Sequence, residues 1–162
     1  MARTAHLLAA LAALSGAGAA GRAEALSCLR PTVEASVSAA QAAEERYRLV
    51  VGRIVPAEGA SVPAPVGPNE REDMTLPARV EGRALVQGGF VAPVDLPVTV
   101  TLTCAGPWCG GLPEGEALLF LVEGPEGLTL TEGPCPFNVL GVEPDTEARV
   151  LACLAGDCTP PE

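Results

Sequence analysis

Residues 97–103 read Pro97-Val98-Thr99-Val100-Thr101-Leu102-Thr103, and their reading decides the fold class. Val98, Val100 and Leu102 fall on one face and Thr99, Thr101 and Thr103 on the other, the period of a half-buried strand. Downstream, Gly115-Glu116 leads into Ala117–Val122 (ALLFLV), which reads as a buried strand. Gly124-Pro125-Glu126-Gly127 is a turn, and Leu128–Thr131 returns as a short strand, so the two form a hairpin. Upstream, Thr75–Gln87 alternates after Pro77, with Ala78, Val80, Gly82, Ala84 and Val86 on one face and Leu85 as the exception. Tyr47–Val55 (YRLVVGRIV) is rich in β-branched residues and reads as the first strand.

Helical spacing brackets these strands. Thr32 is placed to cap a helix over Val33–Arg46, with Val33, Val37, Ala40 and Ala43 on one face. Pro144-Asp145-Thr146 starts a second helix over Glu147–Leu154, and Gly156 ends it. Pro56–Pro68, rich in proline, and the acidic run Asn69-Glu70-Arg71-Glu72-Asp73 form a loop expected to be flexible over 56–74. Five short antiparallel strands between two helices must close or stack to protect their edges. The mainly β answer is a small five-stranded antiparallel barrel with an N-terminal and a C-terminal helix.

Composition removes most chemistry. The 162 residues carry 10 basic and 20 acidic side chains, a formal charge of -10. That balance argues against nucleic acid and anionic membrane surfaces, which need a basic patch. Every basic residue is Arg, so lysine chemistry is excluded, and the single histidine is His6. Arg3, the apolar run Leu7–Leu14 and the small residues after it have the pattern of an export signal over residues 1–27. The apolar run is too short to span a bilayer, which needs about 20 residues. A chain freed of that signal has no histidine, hence no Ser-His or Cys-His catalysis and no His-bound zinc. We therefore expect a single domain over 28–158 with a tail at 159–162, no enzyme activity and no cofactor or metal.

The six cysteines, Cys28, Cys104, Cys109, Cys135, Cys153 and Cys158, all follow the signal. An even number in an exported chain reads as three disulfides, placing the protein in the periplasm or outside the cell. Sequence does not choose among the 15 pairings six cysteines allow. Spacing suggests Cys104–Cys109 and Cys153–Cys158 as local loops, which leaves Cys28 for Cys135. The competing use of the two C-x4-C pairs is thiol-redox or metal handling in the cell envelope.

A family resemblance follows from these landmarks. Cys28-Leu29-Arg30-Pro31, a helix and Leu49–Val55 are followed by Cys109-Gly110-Gly111 and Pro113-Glu114-Gly115-Glu116. Leu118–Val122, Gly127-Leu128-Thr129-Leu130 and Cys135 complete the order. Over residues 28–138 this resembles netrin-like domains of the bacterial secreted type, the OB-fold barrels related to tissue inhibitors of metalloproteinases. The resemblance implies an OB-fold-like barrel that binds another protein. In the inhibitors an N-terminal cysteine chelates the zinc of a metalloprotease through its amine and carbonyl, and the next residue enters the specificity pocket. Those positions match Cys28 and Leu29, although the inhibitors have Cys-x-Cys where this chain has Cys28-Leu29-Arg30. The resemblance also implies a disulfide from Cys28 to Cys109, against the pairing that spacing suggests.

Trp108, in Gly106-Pro107-Trp108-Cys109-Gly110, is either packed over a disulfide or an exposed contact for a partner. Glu114/Glu116 and Glu143/Asp145 are carboxylate pairs in turns, read as solvated. Ser36, Ser38 and Ser61 lack an activating base. The Glu70-Arg71-Glu72-Asp73 run lacks the spacing of a calcium loop. The binding candidates are thus Cys28, Leu29 and Trp108.

Overall fold

The computed structural model describes residues 28–29, 31–58 and 71–159. Helix α1 (Val33–Ala42) precedes β1 (Arg46–Pro56), β2 (Met74–Val86) and β3 (Gly89–Leu102). Two dipeptide strands follow, β4 (Cys104–Ala105) and β5 (Trp108–Cys109). Then come β6 (Ala117–Gly124), β7 (Gly127–Glu132), β8 (Val139–Gly141) and helix α2 (Thr146–Leu154). The export-signal reading of residues 1–27 and most of the expected loop, residues 59–70, lie outside the described residues.

The five expected strands close into an OB-fold-like barrel in the order β1-β2-β3-β7-β6, with β6 pairing back onto β1. Four joints are antiparallel, and the β3–β7 joint is parallel, with Val98 opposite Leu128 and Leu102 opposite Glu132. Val50, Val80, Val100, Leu119, Leu121 and Leu130 fill the interior. The alternation of residues 97–103 holds, with Val98, Val100 and Leu102 buried.

A second apolar layer lies outside the barrel. Val33 and Val37 of α1 and Val150 and Cys153 of α2 pack with Leu49, Val51, Leu118 and Phe120. Strand β6 is therefore buried on both faces, which is why Ala117–Val122 is an unbroken apolar run. Leu85 departs from the polar outer face of β2 because it packs with this layer too. A β-bulge next to it, between Ala84 and Leu85, leaves Val91 without a partner on β2 and brings Phe90 opposite Leu85.

Local rules account for the helix ends. Thr32 Oγ1 accepts from the Ala35 N–H at 3.1 Å, the expected N-cap. Helix α1 stops at Ala42 rather than Arg46, because Ala43 is extended and Arg46 already pairs with Glu123 across β1 and β6. In α2, Thr146 Oγ1 accepts from the Glu143 N–H at 2.8 Å, and the chain leaves through Gly156 at φ +102°.

A glycine pair lets β1 and β2 approach closely. Gly52 of β1 lies opposite Gly82 of β2. A Cβ on Gly52 would sit 2.8 Å from the Gly82 Cα and closer still to the Glu81 carbonyl oxygen; one on Gly82 would sit 2.6 Å from the Gly52 Cα. These neighbours are backbone and cannot rotate away. Replacing Gly52 or Gly82 by Ala should therefore lower stability by about 2 kcal/mol or more in urea unfolding. Gly111→Ala, where the added carbon meets nothing within 4 Å, should stay within about 0.5 kcal/mol.

Candidate functional site

At one end of the barrel β3 and β7 finish side by side, at Leu102 and Glu132. From Thr103 the chain makes a tight hairpin of β4 and β5, tied by the Cys104–Cys109 disulfide. The hairpin base is fastened to β7: the Thr103 N–H donates to the Glu132 carbonyl at 2.9 Å, and the Gly110 N–H to the Thr103 carbonyl at 2.9 Å. Gly110 lies so close to the Glu132 backbone that a Cβ there would reach the Glu132 carbonyl carbon at 2.6 Å. The Asp73 carboxylate accepts from the Cys104 N–H at 2.8 Å.

From Glu132 the chain runs through residues 133–138. Cys135 is bonded to Cys28, and Cys153 to Cys158, so the pairing suggested by spacing forms and the Cys28–Cys109 link implied by the resemblance does not. All six cysteines are oxidised, as suits an oxidising compartment. Around this segment stand three exposed large hydrophobic side chains: Leu29 at 86%, Trp108 at 45% and Phe137 at 45%. Leu29 follows the bridged Cys28, and Phe137 lies two residues beyond Cys135. Trp108 lies opposite Ala105 in the fastened hairpin. The structure thus places all three sequence candidates, Cys28, Leu29 and Trp108, at the same barrel end, and adds Phe137.

The Phe137 backbone is held from two sides. Its carbonyl accepts from the Ser36 hydroxyl at 2.8 Å, which gives that buried serine a structural task. The Asn138 N–H donates to Glu132 Oε2 at 3.2 Å. Asn138 Nδ2 donates to the Thr131 carbonyl at 2.9 Å. Glu132 is 2% exposed, and its Oε1 has no hydrogen-bond partner among the described residues. Burial pushes its carboxyl up from 4.5 to about 7, against the nearby Asn138 and Phe137 backbone N–H groups, which pull it down. Sequence reading missed Glu132 because the last strand was ended at Thr131. Carrying the alternation of Leu128 and Leu130 one step further would have turned it inward.

A second buried carboxylate has a partner. Glu34 of α1, 4% exposed, takes both Nε and Nη2 of Arg149 of α2 at 2.8 Å. The guanidinium beside it holds its carboxyl below the ordinary value of 4.5. These residues are 115 apart in sequence, and no local pattern links them.

The other acidic candidates are dispersed. Glu114, Glu116, Glu143 and Asp145 are exposed, and Asp73 is engaged with the hairpin. Glu70 and Ser61 lie outside the described residues. Among the described residues no group of three or more His, Cys, Asp or Glu is placed to hold a metal ion, and no helix is long and apolar enough to cross a membrane. No family model, curated protein or solved structure matches the chain.

Removing the guanidinium from the helix pair strands a buried charge. Arg149→Met should cost about 3 kcal/mol at neutral pH by urea unfolding, and adding Glu34→Met should recover most of it. The contribution of Glu34 is present above the unfolded value of 4.5 and lost as pH falls through the lower folded value. The cost of Arg149→Met should therefore shrink in acid.

Proposed function

We propose that this protein is an exported, non-enzymatic binding module of netrin-like type, acting in the periplasm or outside the cell. Its contact surface is the barrel end that carries Leu29, Trp108 and Phe137. One observation carries the reading: three large hydrophobic side chains stand exposed on segments fixed by two disulfides and by hydrogen bonds to β7. Such anchors contribute most to protein–protein affinity when their backbone is already ordered, because little freedom is lost on docking. A protein partner suits this surface. A metalloprotease is the first partner to assay, given the resemblance at Cys28 and Leu29.

The thiol-redox or metal-handling alternative needs reducible cysteines. The structure gives that reading no specific support, since each C-x4-C pair is closed and Cys153 is 1% exposed.

The test uses the oxidised protein beginning at Cys28, immobilised and exposed to envelope and secreted proteins, alongside Leu29→Ala, Trp108→Ala, Phe137→Ala and the triple variant. Specific capture by the parent protein should fall at least about tenfold in the triple variant while the unfolding midpoint stays within a few degrees. Capture that ignores all three substitutions sinks the reading. A metalloprotease arm adds one alanine before Cys28. Inhibition lost on that extension supports chelation by the Cys28 amine, and inhibition retained assigns the contact to the hydrophobic side chains alone.

A further inference from the structure

We infer that Glu132 is a proton-controlled latch for the contact surface, holding its two halves in place when neutral and releasing the 133–138 segment when ionised. This rests on the binding reading for its consequence, though not for its test. The geometry behind it is specific. The Glu132 backbone carbonyl fastens the hairpin that carries Trp108, and its side chain fastens the segment that carries Cys135 and Phe137. One residue therefore joins both halves. Its second carboxylate oxygen is buried with no partner among the described residues.

Among the described residues an ionised carboxylate in that position has no ion-pair partner, and its Oε1 has no hydrogen-bond partner. The charged groups described on the flanking elements are acidic or already paired. Asp73 on the hairpin side is itself a carboxylate. On the α1 side Glu34 is another, and Arg149 is engaged with it through two bonds. Cys104, Cys109 and Cys135 are oxidised and do not titrate. Residues 133–138 contain no ionisable side chain apart from that bridged cysteine. The neutral acid keeps one oxygen for the Asn138 N–H and avoids burying a charge. The ionised acid gains by opening the segment to water.

The sign follows from linkage. The closed form holds its proton up to about 7, while an opened, solvated carboxyl returns to 4.5. Closure is fully favoured below 4.5 and loses ground as pH rises to about 7. The ratio of open to closed should rise by up to about 300-fold across that window, ten per unit of pKa difference. Glu132 is a positioning residue: it orders the surface and does not touch a partner.

The test is NMR on the oxidised protein alone, beginning at Cys28. The side-chain carboxyl carbon of Glu132 is titrated through pH 3–9. Hydrogen exchange of the Phe137 and Asn138 amides is followed from pH 5 to 8, divided by the intrinsic base-catalysed rate. A midpoint near 7, with excess exchange that rises with pH at these amides and not at Val80 in the barrel, supports the latch. Glu132→Gln, which mimics the neutral acid, should remove the excess rise. A midpoint near 4.5, or excess exchange that is flat with pH, overturns it, and both are read on the parent protein if Glu132→Gln fails to fold. Partner capture by the contact surface should weaken above pH 7. If capture fails while the titration stands, the binding reading is lost and the latch is not.

Discussion

The whole arrangement depends on two backbones coming closer than any side chain allows. Five strands of this length can cover a core only by curling until the first meets the fourth in sequence, β1 on β6. Where β1 lies against β2 the chain carries Gly52 opposite Gly82, and the two backbones approach closely. With that approach made, β1 reaches β6 over seven residue pairs, and β6 needs no water on either face. The two helices then have a continuous apolar surface to cover, and the segment before α1 is tied by Cys28 to Cys135.

Much of this was legible in the sequence, because strand alternation is set by local geometry. The inward set of residues 97–103, the buried run 117–122, the turn at 124–127 and the Thr32 cap all follow from neighbouring residues. What was not legible depended on distant partners. The first half of β3, residues 89–96, has no clean alternation in the sequence and holds Pro93, a residue that weakens a strand reading. Pro93 and Pro97 are tolerated because β7 pairs with β3 only from Val98 onward, so the missing N–H groups fall where one neighbour is absent. The parallel joint likewise depends on how a 14-residue connection returns from Leu102 to Ala117. At the site, the bridges follow from cysteine spacing, while the exposure of Trp108, which the sequence leaves open between packing on a disulfide and facing a partner, is set by the hairpin. Phe137 and Glu132 were not legible, because their significance comes from bonds made across the barrel end.

The two buried carboxylates show opposite solutions to one problem. Glu34 lies between helices, where a long arginine side chain reaches it from the neighbouring helix. Glu132 lies at the end of β7, where the one hydrogen-bond donor to its carboxylate among the described residues is the Asn138 N–H. A charge between helices can be neutralised by a partner. A charge at that strand end is more easily avoided by keeping the proton. The first device favours the fold above the ordinary carboxyl range, and the second favours it below neutrality.

The spacing of the bridges also shapes how a reduced chain would find its native connectivity. Two bridges close over separations of 5 residues each, and the third over 107. Ring-closure entropy favours each short ring over the long one by about 2.7 kcal/mol, roughly a hundredfold in encounter frequency. The two small rings are thus set to oxidise first. Once they have formed, Cys28 and Cys135 have only each other as partners. The long bridge is then specified by elimination.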